Sequence, residues 1–276
     1  MAEKKSNVGY VIKEIIILLC TILFLFPIFY FVISSFKRLP DILNYPLVIT
    51  PAMFTTDNFV QAYKRIKYFK AVGNTAYIVA MSIMITIFCS SLSGFVIARV
   101  RAKRFQFSYK FFVALMVAPF VAVIVPLIVI MKRLGLINNL WTCILIQASW
   151  NLPFATFLFT GFMKTLPMEL EEAALIDGCS MFKTYSRVFL PLQAPVVATC
   201  CIVCGMGVWN DYVVCASFLN SAKTPTLMIQ VGSFFGQYVK EYGQSFAAVT
   251  MCSAPIRILF IFLQKYFKRG MAAGAV

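Results

Sequence analysis

Six uncharged stretches of 15 to 30 residues in this chain read as membrane crossings: 15–36, 71–98, 111–131, 134–163, 188–210 and 242–256. A helix of ~20 apolar residues crosses the ~30 Å hydrocarbon layer of a bilayer. In lipid every backbone polar group must be satisfied within the protein, which leaves helices or closed barrels. Runs this long predict helices. The expected crossings lie at about 13–36, 72–98, 109–131, 138–163, 194–219 and 244–266. The fold class expected is therefore all-α, a polytopic membrane protein of six transmembrane helices. Composition agrees: 61% of residues are apolar and 13% charged, against roughly 45–50% and about 25% in soluble domains. One soluble core could not hide that much apolar surface.

The 25 Lys and Arg outnumber the 10 Asp and Glu, giving a net charge of +15. The basic residues sit between the apolar runs, where they set topology and touch headgroups, so no nucleic-acid partner is expected. Lys4 and Lys5 precede the first run; Arg99, Arg101, Lys103 and Arg104 follow the second; Lys265, Lys268 and Arg269 follow the sixth. With six crossings these segments share one side, and the positive-inside rule makes it cytoplasmic, with both termini. Residues 37–70 then form an outer loop, in which alternating basic and aromatic residues at 63–69 suggest an interfacial helix. The N-terminal run is long and lacks a small-residue cleavage pattern, so a retained span is expected rather than a signal peptide.

Histidine is absent, which removes His-based acid–base chemistry and the usual catalytic triads. Eight of the nine cysteines lie in apolar runs and read as small packing residues. Cys200, Cys201 and Cys204 have a metal-like spacing without a fourth ligand nearby, so no metal site is expected. No Gly-x-x-x-x-Gly-Lys-[Ser/Thr] is present, so the chain cannot cradle nucleotide phosphates itself. Nor do the runs carry the carboxylates that ion-coupled carriers use.

One polar segment interrupts this pattern. Residues 164–187 hold four of the ten acids within nine positions: Glu169, Glu171, Glu172 and Asp177. Pro167 and the acids suit a helix N-terminus. Leu170, Ala173 and Ala174 give a small apolar face, and Gly178 offers a corner with positive φ. Ser180 can cap a second short helix carrying Phe182, Tyr185 and Val188, with Pro191 and Pro195 expected to end it. A helix, a glycine corner and a second helix form a compact knob, and its small residues allow close approach by a partner.

The residues Glu172-Ala173-Ala174, three more, Gly178, nine more, then Val188-Phe189-Leu190-Pro191 resemble the EAA loop of ABC importer permeases. The only departure is Val188, where that pattern has Ile. Gly161-Phe162-Met163-Lys164-Thr165-Leu166-Pro167, Trp209-Asn210-Asp211-Tyr212 and the ending from Gln264 to Val276 are similar to the carbohydrate-uptake branch, and to its six-span MalG-type (maltose-transporter) subunits. The resemblance covers essentially the whole chain. It implies a type I ABC importer permease fold, a single permease domain over 1–276, and a cytoplasmic coupling loop at 164–191. It implies residence in a bacterial plasma membrane and four kinds of partner besides the lipid bilayer: a second related permease, two cytoplasmic ATPase subunits and an extracytoplasmic sugar-binding protein. No cofactor is expected on this chain; ATP and Mg belong to the ATPases, and the chain is not expected to be an enzyme.

Carried onto this sequence, the ATPase-coupling residues are Glu171, Glu172, Ala173, Ala174, Asp177, Gly178, Ser180 and Pro191. Glu172 and Asp177 would supply charge and caps, Ala173 and Ala174 close approach, and Gly178 the corner. Gln147, Trp150, Asn151, Trp209, Asn210 and Asp211 are candidates for a substrate path. Interfacial anchoring for the tryptophans and interhelical hydrogen bonding for the amides stand beside that reading. The resemblance also implies that the outer loop at 220–242 reaches into the binding protein. Arg257 lies eight residues before Lys265, about 12 Å deeper along a helix, and either snorkels to headgroups or lines the path. A self-contained secondary transporter or channel, and an intramembrane enzyme, are the rival classes. The first would need an ion site within the spans. The second would need paired Asp, an activated Ser or a metal motif.

Overall fold

The fold was analysed in a computed structural model, which describes residues 7–100, 102–220, 222–235 and 241–274, with side chains described at 9–100, 102–220, 222–235 and 241–262. In chain order the helices are α1 (Asn7–Ser35), α2 (Leu39–Asn44), α3 (Asp57–Ile66), α4 (Tyr68–Arg99), α5 (Lys103–Leu115), α6 (Phe120–Arg133), α7 (Leu140–Thr165) and α8 (Glu169–Ile176). Then follow α9 (Met181–Thr184), a π-helical turn at Tyr185–Phe189, α10 (Leu190–Leu192), α11 (Ala194–Trp209), α12 (Val213–Phe218), α13 (Leu227–Gly232) and α14 (Tyr242–Gly274). The contacts group the chain into two units, one of residues 1–68 with 231–254, the other of 69–230 with 255–276.

Among the described residues four helices are long and apolar enough to cross a membrane, and six crossings are reached when two bent helix pairs are each counted as one. The expected spans at 13–36, 72–98, 138–163 and 244–266 overlap α1, α4, α7 and α14, whose ends lie one to eight residues from the expected ones. The third does not run straight. The stretch expected at 109–131 is α5 and α6, bent by 100°, because Pro119 withholds an N–H and caps α6 in extended conformation. The fifth, expected at 194–219, breaks at Asn210–Tyr212 between α11 and α12.

In the first unit, α1 carries no charge from Ile15 onward, and residues 9–29 are exposed within the chain. Its C-terminal end packs inward, where Tyr30 and Phe31 meet Phe246 edge-on and Ile33, Ser34 and Ser35 are buried. The loop beyond it is gathered around Lys37, 1% exposed, whose Nζ donates to the carbonyls of Tyr45 (3.0 Å) and Pro46 (2.9 Å). Burial pulls that ammonium below the usual lysine range, opposed by Asp41. Asn58 Nδ2 donates to the carbonyls of Ser35 (3.0 Å) and Lys37 (2.8 Å), and Phe36 stacks on Phe54. Ala62 and Ile66, one turn apart on α3, are fully buried. The basic face of α3 is used internally too: Arg65 pairs with Glu241 at 3.2 Å and lies 4.2 Å from the centroid of the Phe234 ring.

The second unit is built on a seam between α4 and α7. Ser82, Thr86, Ser90 and Gly94 recur every fourth residue, on one face of α4. Ser82 Oγ donates to the Ile144 carbonyl (3.2 Å) and Thr86 Oγ1 to those of Ser82 (2.8 Å) and Ala148 (3.4 Å). Thr156 Oγ1 reaches Ser90 Oγ at 3.4 Å. At Gly94 a Cβ would stand 2.8 Å from Phe159 Cβ and 3.0 Å from the backbone of 159 and 160. Small residues allow this close approach, the usual basis of helix packing in lipid. Around the seam, Ile78, Ile144, Phe159, Cys200, Cys204, Val208 and Phe218 form the buried core. The cysteines act as packing groups there, with Cys200 Sγ 3.8 Å from Cys204 Sγ.

Candidate functional site

The polar segment after α7 folds as two short limbs around a glycine corner. Acids Glu169, Glu171 and Glu172 occupy the first turn of α8, where they complement its dipole. At its end Gly178 takes φ +73°, its N–H bonds to the Leu175 carbonyl (3.0 Å), and the Cys179 N–H bonds to that of Ala174 (2.9 Å). These two bonds form the Schellman closure that glycine favours. Ser180 then caps α9, its Oγ accepting from the Lys183 N–H at 3.4 Å. The second limb ends between Pro191 and Pro195. It widens into the π turn, continues through Pro191 in α10, and turns at Gln193 by 67° into α11. Pro191 at the start of α10 and Pro195 at the start of α11 lie where a missing N–H is tolerated.

Glu172, Ala173, Asp177, Gly178, Ser180 and Pro191 are exposed, but Glu171 and Ala174 are buried. Ala174 therefore packs inward and offers no approach surface, and Glu171 serves an internal contact. The outer edge is apolar instead: Ile176 is 86% and Phe182 72% exposed, with Leu175 and Met181 beside them in sequence.

The inner side converges on Arg99, the last residue of α4, which is 8% exposed. Its Nη2 donates to the Leu166 carbonyl at 3.0 Å, its Nη1 points at Met168 Sδ, and its Nε lies 3.7 Å from Glu171 Oε2. The guanidinium also stands 4.9 Å from the centroid of the Phe189 ring. One side chain thus touches both limbs. Beneath it Phe95, Met163, Tyr185 and Phe189 form a cluster, and Ser91 bonds to Tyr185 and to the fully buried Gln193. Sequence reasoning counted Arg99 among the loop charges that set topology. The available signal was that it ends a 28-residue uncharged run while the nearest acids lie far along the chain.

The candidate path residues are only partly brought together. Gln147 is buried beside the Asp211 carboxylate, and Asn151 donates to the Gln147 carbonyl at 2.8 Å. Asp211 caps α12, its Oδ2 accepting from the N–H groups of Val214 (3.0 Å) and Cys215 (3.2 Å). Trp150 packs edge-on against Phe120, and with Asn151, Leu115, Met116 and Cys204 it lines a cavity of about 270 Å³. Trp209 is buried in packing, while Asn210 and Arg257 are exposed. At 220–242, α13 is held against α4: Asn74 Nδ2 donates to the Pro225 carbonyl (2.8 Å), and Thr75 Oγ1 accepts from the Leu227 N–H (3.0 Å). Residues 221 and 236–240 of that loop lie outside the described residues.

Residues 90–273 match the family described as binding-protein-dependent transport system inner membrane component. The chain is 31% identical over 99% of its length to the multiple sugar-binding transport system permease protein MsmG of Streptococcus mutans, covering 99% of that protein. It is 34% identical to the melibiose/raffinose/stachyose import permease protein MelC of Bacillus subtilis, over 83% of each chain. Its fold superposes with TM-score 0.81 on a chain from a crystal structure of a bacterial ABC transporter involved in importing the acidic polysaccharide alginate, at 16% identity, covering 97% of this chain and 99% of that one.

Proposed function

Because the chain belongs to the family of binding-protein-dependent transport system inner membrane components, and is thus an ABC-importer permease subunit, we propose that it carries a di- or oligosaccharide inward as one half of a heterodimeric pore. The substrate class rests on the relatives MsmG and MelC, whose names specify sugars. The second half is a related permease, two cytoplasmic ATPases supply the energy, and an extracytoplasmic sugar-binding protein delivers the solute. ATP and Mg are bound on the ATPases, and this chain performs no hydrolysis. It lies in a bacterial plasma membrane with both termini in the cytoplasm.

The observation that carries the coupling role is the exposed edge at Leu175, Ile176, Met181 and Phe182 on a knob whose inner side is fixed by Arg99. An apolar edge rimmed by Glu172, Ala173 and Asp177 suits a partner surface. The ATPase dimer grips that edge, and its closure drives the spans between inward and outward access, a two-state element biased by a partner. Gly178 keeps the corner and Ser180 the second limb in place. Trp150, Asn151 and the Gln147–Asp211 pair contribute to the solute path from this side of the pore.

The test is co-purification and uptake with Ile176→Glu, which puts a charge on the exposed edge without touching the buried side. The ATPase subunits should be lost from the purified complex and sugar uptake should fall with them. Full retention of both would remove the knob from the coupling role.

A further inference from the structure

The two contacts made by the ends of α4 lie at opposite extremes of one helix. At one end Asn74 and Thr75 hold the carbonyl of Pro225 and the N–H of Leu227. At the other, Arg99 holds Leu166, Met168, Glu171 and Phe189, so that both limbs of the knob are tied to one residue. Thr75 and Arg99 are 24 residues apart in an unbroken helix, about 36 Å at 1.5 Å per residue, enough to span the hydrocarbon layer.

Among the described helices long enough to cross a membrane, α4 is the one with no proline inside it: α1 contains Pro27, α7 Pro153 and α14 Pro255. Sharp kinks in helices arise often at proline, and α4 runs unbroken from Tyr68 to Arg99. The seam ties it to α7 along its length, through hydrogen bonds at Ser82, Thr86 and Ser90 and the close approach at Gly94. The segment at 225–227 and the knob are thus fastened to a single rod by hydrogen bonds at one end and a buried guanidinium at the other.

We propose that α4 is the strut through which the ATPase-facing knob and the outer loop around Pro225–Leu227 act on each other, with Arg99 and the Asn74–Thr75 pair as its positioning residues. Closure of the ATPases displaces the knob, Arg99 passes that displacement to α4, and α4 moves the 225–227 segment on the far side. By linkage, engagement of that segment by the binding protein biases the knob to the same extent. The inference rests on the functional reading above, which places the knob inside and the loop outside.

The test is hydrogen–deuterium exchange on the intact complex of this chain with its permease partner and ATPases, with and without trapping by MgATP and vanadate. The readout is the change in exchange at residues 222–232, normalised to nucleotide trapped, so that a variant with fewer bound ATPases is corrected for. In the wild type, trapping should change exchange there. Arg99→Gln, and separately Asn74→Ala with Thr75→Val, should each shrink the change about fivefold or more, the low end of usual allosteric coupling. Combining the changes should shrink it no further, because both ends serve one path. Should Arg99→Gln fail to accumulate, the Asn74–Thr75 variant decides alone. A full response in either variant, or effects that add, would overturn the strut. A wild-type complex that holds its ATPases but shows no change at 222–232 would also overturn it and leave the functional reading intact. A wild-type complex that holds no ATPase would overturn that reading first.

Discussion

Gly94 of α4 faces Phe159 of α7 so closely that an added Cβ would stand 2.8 Å from Phe159 Cβ. The neighbouring atoms at 3.0 Å are backbone, so they cannot swing aside as a flexible side-chain end would. Gly94→Leu should therefore spread the seam and cost about 1–3 kcal/mol, the usual range for overpacking. A lowered unfolding temperature in detergent, with Gly94→Ala between wild type and Gly94→Leu, would be the expected series. An unchanged midpoint for the leucine variant would show that the helices part freely.

Gly178 has open space around its Cα but φ +73°. The cost of a side chain there is backbone strain, roughly 1–2 kcal/mol for an ordinary residue in the left-handed region, and more for a β-branched one. Gly178→Val should leave the protein inserted and abolish uptake, while Gly178→Asn, which tolerates that conformation better, should restore part of it. Uptake assays alongside membrane-fraction immunoblots measure both, and coupled uptake by the valine variant at wild-type rate would count against the corner.

Asp211 offers a choice between two roles. Its carboxylate accepts the N–H groups of Val214 and Cys215, and losing such a cap costs about 1 kcal/mol. Asp211→Asn keeps an acceptor oxygen, whereas Asp211→Ala does not. If capping is its main work, Asn should transport nearly as the wild type and Ala should be impaired and less stable. Equal loss in both variants would assign the negative charge itself to the solute path.

Lys37 is a third kind of site, a buried ammonium that gathers a loop through the carbonyls of Tyr45 and Pro46. Lys37→Met preserves length and removes both donors, leaving the two carbonyls without them. The expected destabilisation is about 1.5–3 kcal/mol, the range for hydrogen bonds to a charged group. Faster proteolysis within 38–50 would report it. Protection equal to the wild type would mean the loop is held by the Phe36–Phe54 stack and Asn58 instead.

The uncharged runs located four long helices, though not their ends, because length and hydropathy depend on composition alone. They could not show the elbow between α5 and α6, since a proline in an apolar run is compatible with a kink, a break or a straight start. The knob was legible in its grammar: acids, glycine corner, serine cap. Its orientation was not. At 3.6 residues per turn, Glu171 and Ala174 share the inner face, yet nothing in the local sequence says which face is inner until Arg99 arrives from 67 or more residues away to meet Leu166 and its neighbours. The four-residue spacing of Ser82, Thr86, Ser90 and Gly94 was readable, and it marks the seam that the hydrophobic runs concealed.

Helix α1 contributes no side chain from residues 9–29 to the buried interior of its own chain. Its sequence there answers only to its surroundings, so the packed parts of the protein place almost no constraint on it. A foreign apolar segment of equal length could be grafted in place of those residues without loosening Lys37, Asn58 or the α4–α7 pair. Sequence drift among homologues should accordingly be freest in that stretch and should stop abruptly at Ile33, where the interior begins.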